Sequence, residues 1–274
     1  QRQQERKAMS YQTKKRFGQH FLHDPGVIDK IIHAARLEKQ QRVVEIGPGL
    51  GVLTDRLLEK VGRVEVMEID RDLIALLRQR QEEHLIIHEG DVLKLPWSDL
   101  LTEPPYTLVA NLPYNISSQI LFKLLDHRPL FARMVLMFQR EVGERLMARP
   151  GTKDYGILSV LCQLWYDISK VVLVKPGAFN PPPKVDSLVL SFVARTEPRV
   201  DPGDEILFKK LVKGAFTQRR KTLRNSLLAS GIKAADIDTA LTLAQIDPGC
   251  RGETLTLPQF SALTRAFLAI DPAE

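Results

Sequence analysis

The chain has 274 residues, 44% of them hydrophobic and 26% charged, the composition of a globular protein large enough to bury its core without cross-links. Its two cysteines, Cys162 and Cys250, stand far apart and outside any CxxC pattern, so neither a disulfide framework nor a metal site is expected, and a reducing cytoplasmic setting is. No apolar run reaches the length of a membrane span, no secretory leader pattern opens the chain, and the net charge of +6 favours polyanionic partners only weakly.

In chain order, the polar tract 1–8 is set aside, with Met9 a candidate start, and Lys14-Lys15-Arg16 makes residues 1–16 an expected flexible basic arm. Asp24-Pro25 should cap a helix whose apolar face is Val27, Ile28, Ile31, Ile32 and Ala35. Strands and helices then alternate: strand 42–46, helix 51–60, strand 63–68, helix 71–82, strand 84–88, strand 106–110, helix 117–126 and strand 134–138. A helix over 155–165 leads to strands at 168–174 and 187–194, expected as an antiparallel pair joined by the Pro-rich loop 176–184. This alternation predicts an α/β domain, a mostly parallel sheet covered on both faces.

Residues 196–203 read as a linker, after which the pattern is helical only. Leu207, Leu211 and Phe216 share one helix face, and Thr256-x-x-Gln259 is a capping box. Residues 206–225 hold Lys209, Lys210, Lys213, Arg219, Arg220, Lys221 and Arg224 and no acid. A solvated helix face would explain such a run alone; beside a nucleotide-type fold it points to nucleic acid.

Val43-Val44-Glu45-Ile46-Gly47-Pro48-Gly49-Leu50-Gly51 is a strand entering a glycine turn and then a helix. Such a turn lets a ligand approach the backbone and meet helix N-terminal amides. In a dinucleotide fingerprint the third glycine would fall at Val52; here it comes one residue early. Glu45-x-Gly47-x-Gly49-x-Gly51 is instead the spacing of class I methyltransferases. Glu68 ends the next strand, where a carboxylate can accept both ribose hydroxyls. Asp91 follows the third, where one can accept from an adenine amine. Singly these acids are ordinary surface charges; three at successive strand ends form a pattern.

Asn111-Leu112-Pro113-Tyr114 follows the fourth strand. An exocyclic adenine nitrogen is a poor nucleophile because its lone pair is delocalised. Two acceptors aimed at its hydrogens, the Asn111 side-chain oxygen and a nearby carbonyl such as that of Leu112, would help free that pair. Pro113 stiffens the turn and Tyr114 can stack on the base. Alignment with a methyl donor supplies the rest, and no strong general base is needed.

The stretches Phe17-Gly18-Gln19-His20-Phe21-Leu22, the glycine motif, Asn111-Leu112-Pro113-Tyr114-Asn115-Ile116-Ser117 and Phe179-Asn180-Pro181-Pro182-Pro183-Lys184-Val185 occur in the order of the ribosomal RNA adenine dimethyltransferases. The chain resembles that family, its bacterial small-subunit branch above all, over nearly its whole length, including Phe216-Thr217-Gln218-Arg219-Arg220-Lys221. The resemblance implies a Rossmann-like class I methyltransferase domain at 17–197, a seven-stranded sheet with an antiparallel last strand, and a small all-α RNA-binding domain at 204–274. It implies S-adenosylmethionine as cofactor, bound by His20, Leu22, Gly47, Glu68, Asp91 and Asn111, with residues 19–22 lying over it. The catalytic set would be Asn111, Leu112, Pro113, Tyr114 and Phe179, with Phe179 across the target base from Tyr114; core packing is the competing role for Phe179. His20 departs from the asparagine frequent in the family, and a ring nitrogen would stand in as donor.

The substrate implied is a pair of adjacent adenosines near the 3′ end of small-subunit (16S) ribosomal RNA, each dimethylated, with a role in small-subunit biogenesis. A basic helix carrying Arg219, Arg220, Lys221 and Arg224 would hold RNA phosphates. The protein is expected to act as a cytoplasmic monomer on RNA in the small subunit, not on DNA or a membrane. The alternatives are a large-subunit adenine methylase of the macrolide-resistance type, an assembly factor with incidental catalysis, and a DNA adenine methyltransferase, which usually carries an acid at the position of Asn111.

Overall fold

The computed structural model describes residues 19–270; the expected basic arm and Phe17-Gly18 lie outside them. Among the described residues the chain opens with β1 (Phe21–Leu22) and α1 (Pro25–Ala35). Asp24 caps α1 by accepting from the Val27 N–H at 3.0 Å, and the five predicted apolar residues are buried. The alternation follows: β2 (Arg42–Ile46), α2 (Val52–Leu58), β3 (Arg63–Glu68), α3 (Arg71–Arg78), β4 (Leu85–Glu89), α4 (Trp97–Leu100), β5 (Tyr106–Asn111), α5 (Ser117–Asp126) and β6 (Phe131–Gln139). Then come α6 (Arg140–Leu146), α7 (Ile157–Trp165), β7 (Tyr166–Val174), β8 (Phe179–Asn180) and β9 (Ser187–Ala194).

Seven strands form one sheet in the order β4-β3-β2-β5-β6-β9-β7. The pairs β2–β3, β3–β4, β2–β5 and β5–β6 are parallel, while β9 runs antiparallel to β6. Apolar side chains of β2, β3 and β5 are buried on both faces, hence their near-continuous hydrophobic sequences. The order turns back between β2 and β5: the chain builds outward from β2 through β3 to β4, then returns to add β5 on the other side. Such a switch point opens a crevice at the carboxyl ends of the strands. The register places Ile46 of β2 beside Ala110 of β5 and Met67 of β3, so the glycine turn and Asn111 emerge next to each other.

Two compact units are resolved by their contacts: residues up to Gly143 with Asp167–Ala194, and Glu144–Tyr166 with the chain from Arg195 onward. The second therefore takes in α7, which the sequence boundary at 197 leaves with the sheet. It also contains α8 (Glu205–Ala215), α9 (Leu223–Ala229), α10 (Ala234–Leu243) and α11 (Leu257–Leu268). The capping box at Thr256 and Gln259 forms, with both reciprocal bonds made. The basic run departs from expectation. Residues 216–222 are a turn and not a helix: α8 ends at Ala215, and Thr222 caps α9 by accepting from the Asn225 N–H. The reason lies in hydroxyl side chains that compete with helical hydrogen bonding. Thr217 Oγ1 bonds back to the Lys213 carbonyl at 3.1 Å, and Ser226 Oγ takes the Gln218 N–H at 3.0 Å.

Candidate active site

A cavity of about 250 Å³ lies at the switch point, lined by parts of residues 19–22, 45–53, 67–73, 90–93 and 111–116. One half is backbone and acid. Gly47, Gly49 and Gly51 have φ of 65°, 58° and 86°, left-handed values that favour glycine. A Cβ on Gly49 would come within 3.0 Å of the Phe21 ring, so Phe21 packs onto bare backbone there. Glu45 is fully buried and takes a 2.6 Å hydrogen bond from Thr54 Oγ1. Burial pushes its carboxyl up to about 8. Glu68 is also buried; its Oε1 accepts from the Ile69 and Asp70 N–H groups at 2.9 Å each. Burial raises this carboxyl's proton affinity and the amides oppose the rise. Asp91 accepts from the Leu93 N–H through Oδ1 at 2.9 Å. S-adenosylmethionine fits this half: glycine backbone lines the cavity, and two carboxylates at its rim can accept from ribose hydroxyls and an adenine amine.

The other half carries the turn Asn111-Leu112-Pro113-Tyr114. Asn111 Nδ2 donates to the His20 carbonyl at 3.2 Å. A carbonyl can only accept, so this bond fixes the amide orientation and turns Asn111 Oδ1 away from His20 as an acceptor. The Leu112 N–H is tied to the Met137 carbonyl at 3.2 Å, anchoring the turn on β6. Tyr114 stacks on the His20 ring, centroids 5.5 Å apart and planes 26° apart, and its hydroxyl meets Ser187 Oγ at 2.5 Å. Burial raises the phenol's proton affinity, which keeps Tyr114 a neutral stacking surface. His20 Nδ1 lies 2.8 Å from the Pro181 carbonyl, so that nitrogen carries hydrogen and donates.

Of the sequence-derived site residues, His20, Leu22, Gly47, Glu68, Asp91, Asn111, Leu112, Pro113 and Tyr114 all line this one cavity. Phe179 does not. It is 2% exposed, in the core with Leu22, Ile28 and Val174, and β8 places it opposite Leu22 of β1. In the helical unit Arg219 donates to the Lys153 and Tyr155 carbonyls at 2.6 and 2.8 Å. Arg224 is bidentate on Asp238 at 2.6 and 2.9 Å, while Arg220 and Lys221 are exposed. Gln19, which the resemblance already places over the cofactor with residues 20–22, donates to Asp70 Oδ2 at 3.2 Å; sequence reasoning missed Ser187 and Lys123. Each acts through contacts distant in sequence, and no local pattern marks them.

A family model described as ribosomal RNA adenine dimethylase matches residues 10–258. A ribosomal RNA small subunit methyltransferase A from Syntrophotalea carbinolica is 60% identical, over 94% of this chain and 97% of the relative. A dimethyladenosine transferase structure from Plasmodium falciparum matches with TM-score 0.74 and 31% identity, covering 89% of this chain and 96% of that one. The structure of a 23S rRNA methyltransferase matches with TM-score 0.65 and 26% identity, covering 90% and 99%.

Proposed function

The chain belongs to the ribosomal RNA adenine dimethylase family, and from that premise we propose its specific reaction: methyl transfer to the exocyclic N6 amines of two adjacent adenosines near the 3′ end of small-subunit ribosomal RNA, two methyls to each. It is an S-adenosylmethionine-dependent rRNA adenine methyltransferase. The observation that carries the mechanism is the bond from Asn111 Nδ2 to the His20 carbonyl, because it leaves the side-chain oxygen for the target amine.

When bound, S-adenosylmethionine supplies an electrophilic methyl group. Gly47, Glu68 and Asp91 would hold it, with His20 and Leu22 above and Asn111 shared with the substrate. Asn111 Oδ1 and the Leu112 carbonyl accept the two amine hydrogens and draw the nitrogen toward tetrahedral geometry. On transfer the methylated nitrogen would release one proton to solvent, the donor leaving as its neutral thioether; a single hydrogen then remains, and one acceptor still serves it. Tyr114 stacks on the base, held by Ser187, and Pro113 limits the turn's freedom. Alignment of the amine with the methyl donor supplies the rest of the acceleration. Phe179 would contribute through the β1–β8 pair that seats residues 21 and 22, and at the base itself only if that pair opens.

The exposed Arg220 and Lys221 hold RNA phosphates, with Arg219 and Arg224 shaping the turn that presents them. Such contacts give affinity and register without base choice. No helix among the described residues is long and apolar enough to cross a membrane; a ribosomal substrate puts the reaction in the cytoplasm, where a monomer suffices because one chain supplies the whole cavity. The 60% identity to a small-subunit relative, against 26% to the 23S methyltransferase, favours the small subunit. Primer extension on RNA treated with enzyme and cofactor tests this. Stops at two adjacent adenosines near the small-subunit 3′ end are expected; stops in large-subunit RNA alone would replace the substrate.

A further inference from the structure

After β4 the chain turns at Gly90, whose N–H bonds to the Glu68 carbonyl at 2.8 Å. The segment then closes on itself: the Asp91 carbonyl accepts from the Lys94 and Leu95 N–H groups at 2.9 Å each, and Asp91 Oδ1 takes the Leu93 N–H. The carbonyls of Val92, Leu93 and Leu95 consequently converge on one point. Lys123 Nζ occupies it, at 3.0, 3.0 and 2.6 Å respectively. An ammonium has three hydrogens, and this one spends all three on the same loop. The Trp97 ring lies 4.8 Å from that ammonium, and Trp97 Nε1 donates to the Val92 carbonyl as well, at 3.1 Å. Lys123 does not line the cavity; Asp91 does.

We propose that Lys123 is a positioning residue for cofactor recognition: by gathering the carbonyls of residues 92, 93 and 95 it holds Asp91 where its carboxylate accepts from the cofactor's adenine amine. This rests on the reading of Asp91 given above. Without the ammonium the three converging carbonyls lose their common donor; Val92 keeps the Trp97 bond, and the loop must open to water to satisfy Leu93 and Leu95. Lys123 also sits on α5, the helix that begins at Ser117, directly after the methyl-acceptor turn. One side chain therefore ties the element that follows the target-base site to the loop that receives the cofactor's adenine.

The test is calorimetric binding of S-adenosylhomocysteine and of its analogue lacking the purine 6-amino group. The proteins compared are the native chain, Lys123→Met, Lys123→Gln, Asp91→Ala and the Lys123→Met/Asp91→Ala double variant. The native chain should prefer the amine-bearing compound by about tenfold, the range of one hydrogen bond to a charged group. Lys123→Met should cut that preference to about threefold or less, and Lys123→Gln, which keeps two donor hydrogens, should fall between. In the double variant the preference should equal that of Asp91→Ala alone, because coupled residues are not additive. A Lys123 variant that weakens both compounds equally, with the native preference kept, would overturn the proposal and leave only a structural role. An Asp91→Ala chain with the native preference would overturn the Asp91 reading, a distinguishable result. Should Lys123→Met not fold, the Lys123→Gln comparison decides alone.

Discussion

A carboxyl group at the end of a buried strand has no water to support its charge, and Glu45 shows the consequence. Among the described residues its side chain is hydrogen-bonded by Thr54, and burial outweighs that bond, pushing the carboxyl up to about 8. A pKa raised on folding means the folded chain binds more protons than the unfolded one between about 4.5 and 8. Stability from this group is therefore complete below the unfolded value and is lost as pH rises through the window. Glu45→Gln keeps the shape and cannot ionise. The variant should match the native chain near pH 5 and exceed it progressively toward pH 8, by up to roughly 1.4 kcal/mol per unit of pH. Urea unfolding of both proteins across that range checks it, and a pH-independent difference would contradict it. Asn111 works by orientation in place of charge. On the proposed mechanism Asn111→Ala removes an acceptor for the reacting amine, so kcat for methyl transfer should fall by about a hundredfold or more while S-adenosylhomocysteine binding weakens far less. Single-turnover label transfer beside calorimetry separates these, and equal losses in both would make Asn111 a cofactor ligand only.

At the scale of elements, the crossing of α8 and α9 depends on one missing side chain. A Cβ on Gly214 would lie 2.9 Å from Ser230 Oγ and 3.1 Å from Leu227 Cδ2. Gly214→Ala should thus destabilise the helical unit by about 1–3 kcal/mol, read as a lowered urea midpoint; an unchanged midpoint would show that Ser230 swings aside at little cost. The strands around β2 were legible because a parallel strand buried on both faces has to be an apolar run, and β2 and β3 fall at the expected residues. The ends of α2 and α3 were not. Both were expected to run longer, yet α2 stops at Leu58 and α3 at Arg78, and Gln81 adopts φ of 52°; helix-compatible side chains continue past the point where the backbone turns toward the next strand. The basic run misled for a related reason. Its residues suit a helix, but Thr217, Thr222 and Ser226 spend their hydroxyls on backbone groups and make it a turn. In the site, the meeting of Glu68, Asp91 and the Asn111 turn in one cavity could be read because each follows a strand at a fixed offset. Lys123 and Ser187 could not, since their partners lie 28 to 31 and 73 residues away. The two-residue β1–β8 pair, which buries Phe179 opposite Leu22, is likewise too short to leave a pattern.

For the molecule as a whole, the sheet topology supplies a crevice lined by the glycines and acids, and the turn after β5 brings Asn111 to it, where the proposed mechanism puts the target amine. None of these selects ribosomal RNA. The family membership is the ground for placing the target in the small subunit, and the exposed Arg220 and Lys221 of the helical unit are proposed to supply affinity for the RNA backbone without base choice. Because phosphate contacts release counterions, Arg220→Gln with Lys221→Gln should weaken RNA binding and reduce its logarithmic salt slope by about two. Binding titrations over a range of salt measure that slope, and an unchanged value would place the RNA grip elsewhere. The central claim is met most directly by incubating the enzyme with labelled S-adenosylmethionine and three acceptors: unmethylated small subunits, large subunits and adenine-rich DNA. The account predicts label in small-subunit RNA, reaching four methyl groups per particle on two adjacent adenosines. Label in large subunits or DNA, with none in the small subunit, would contradict it.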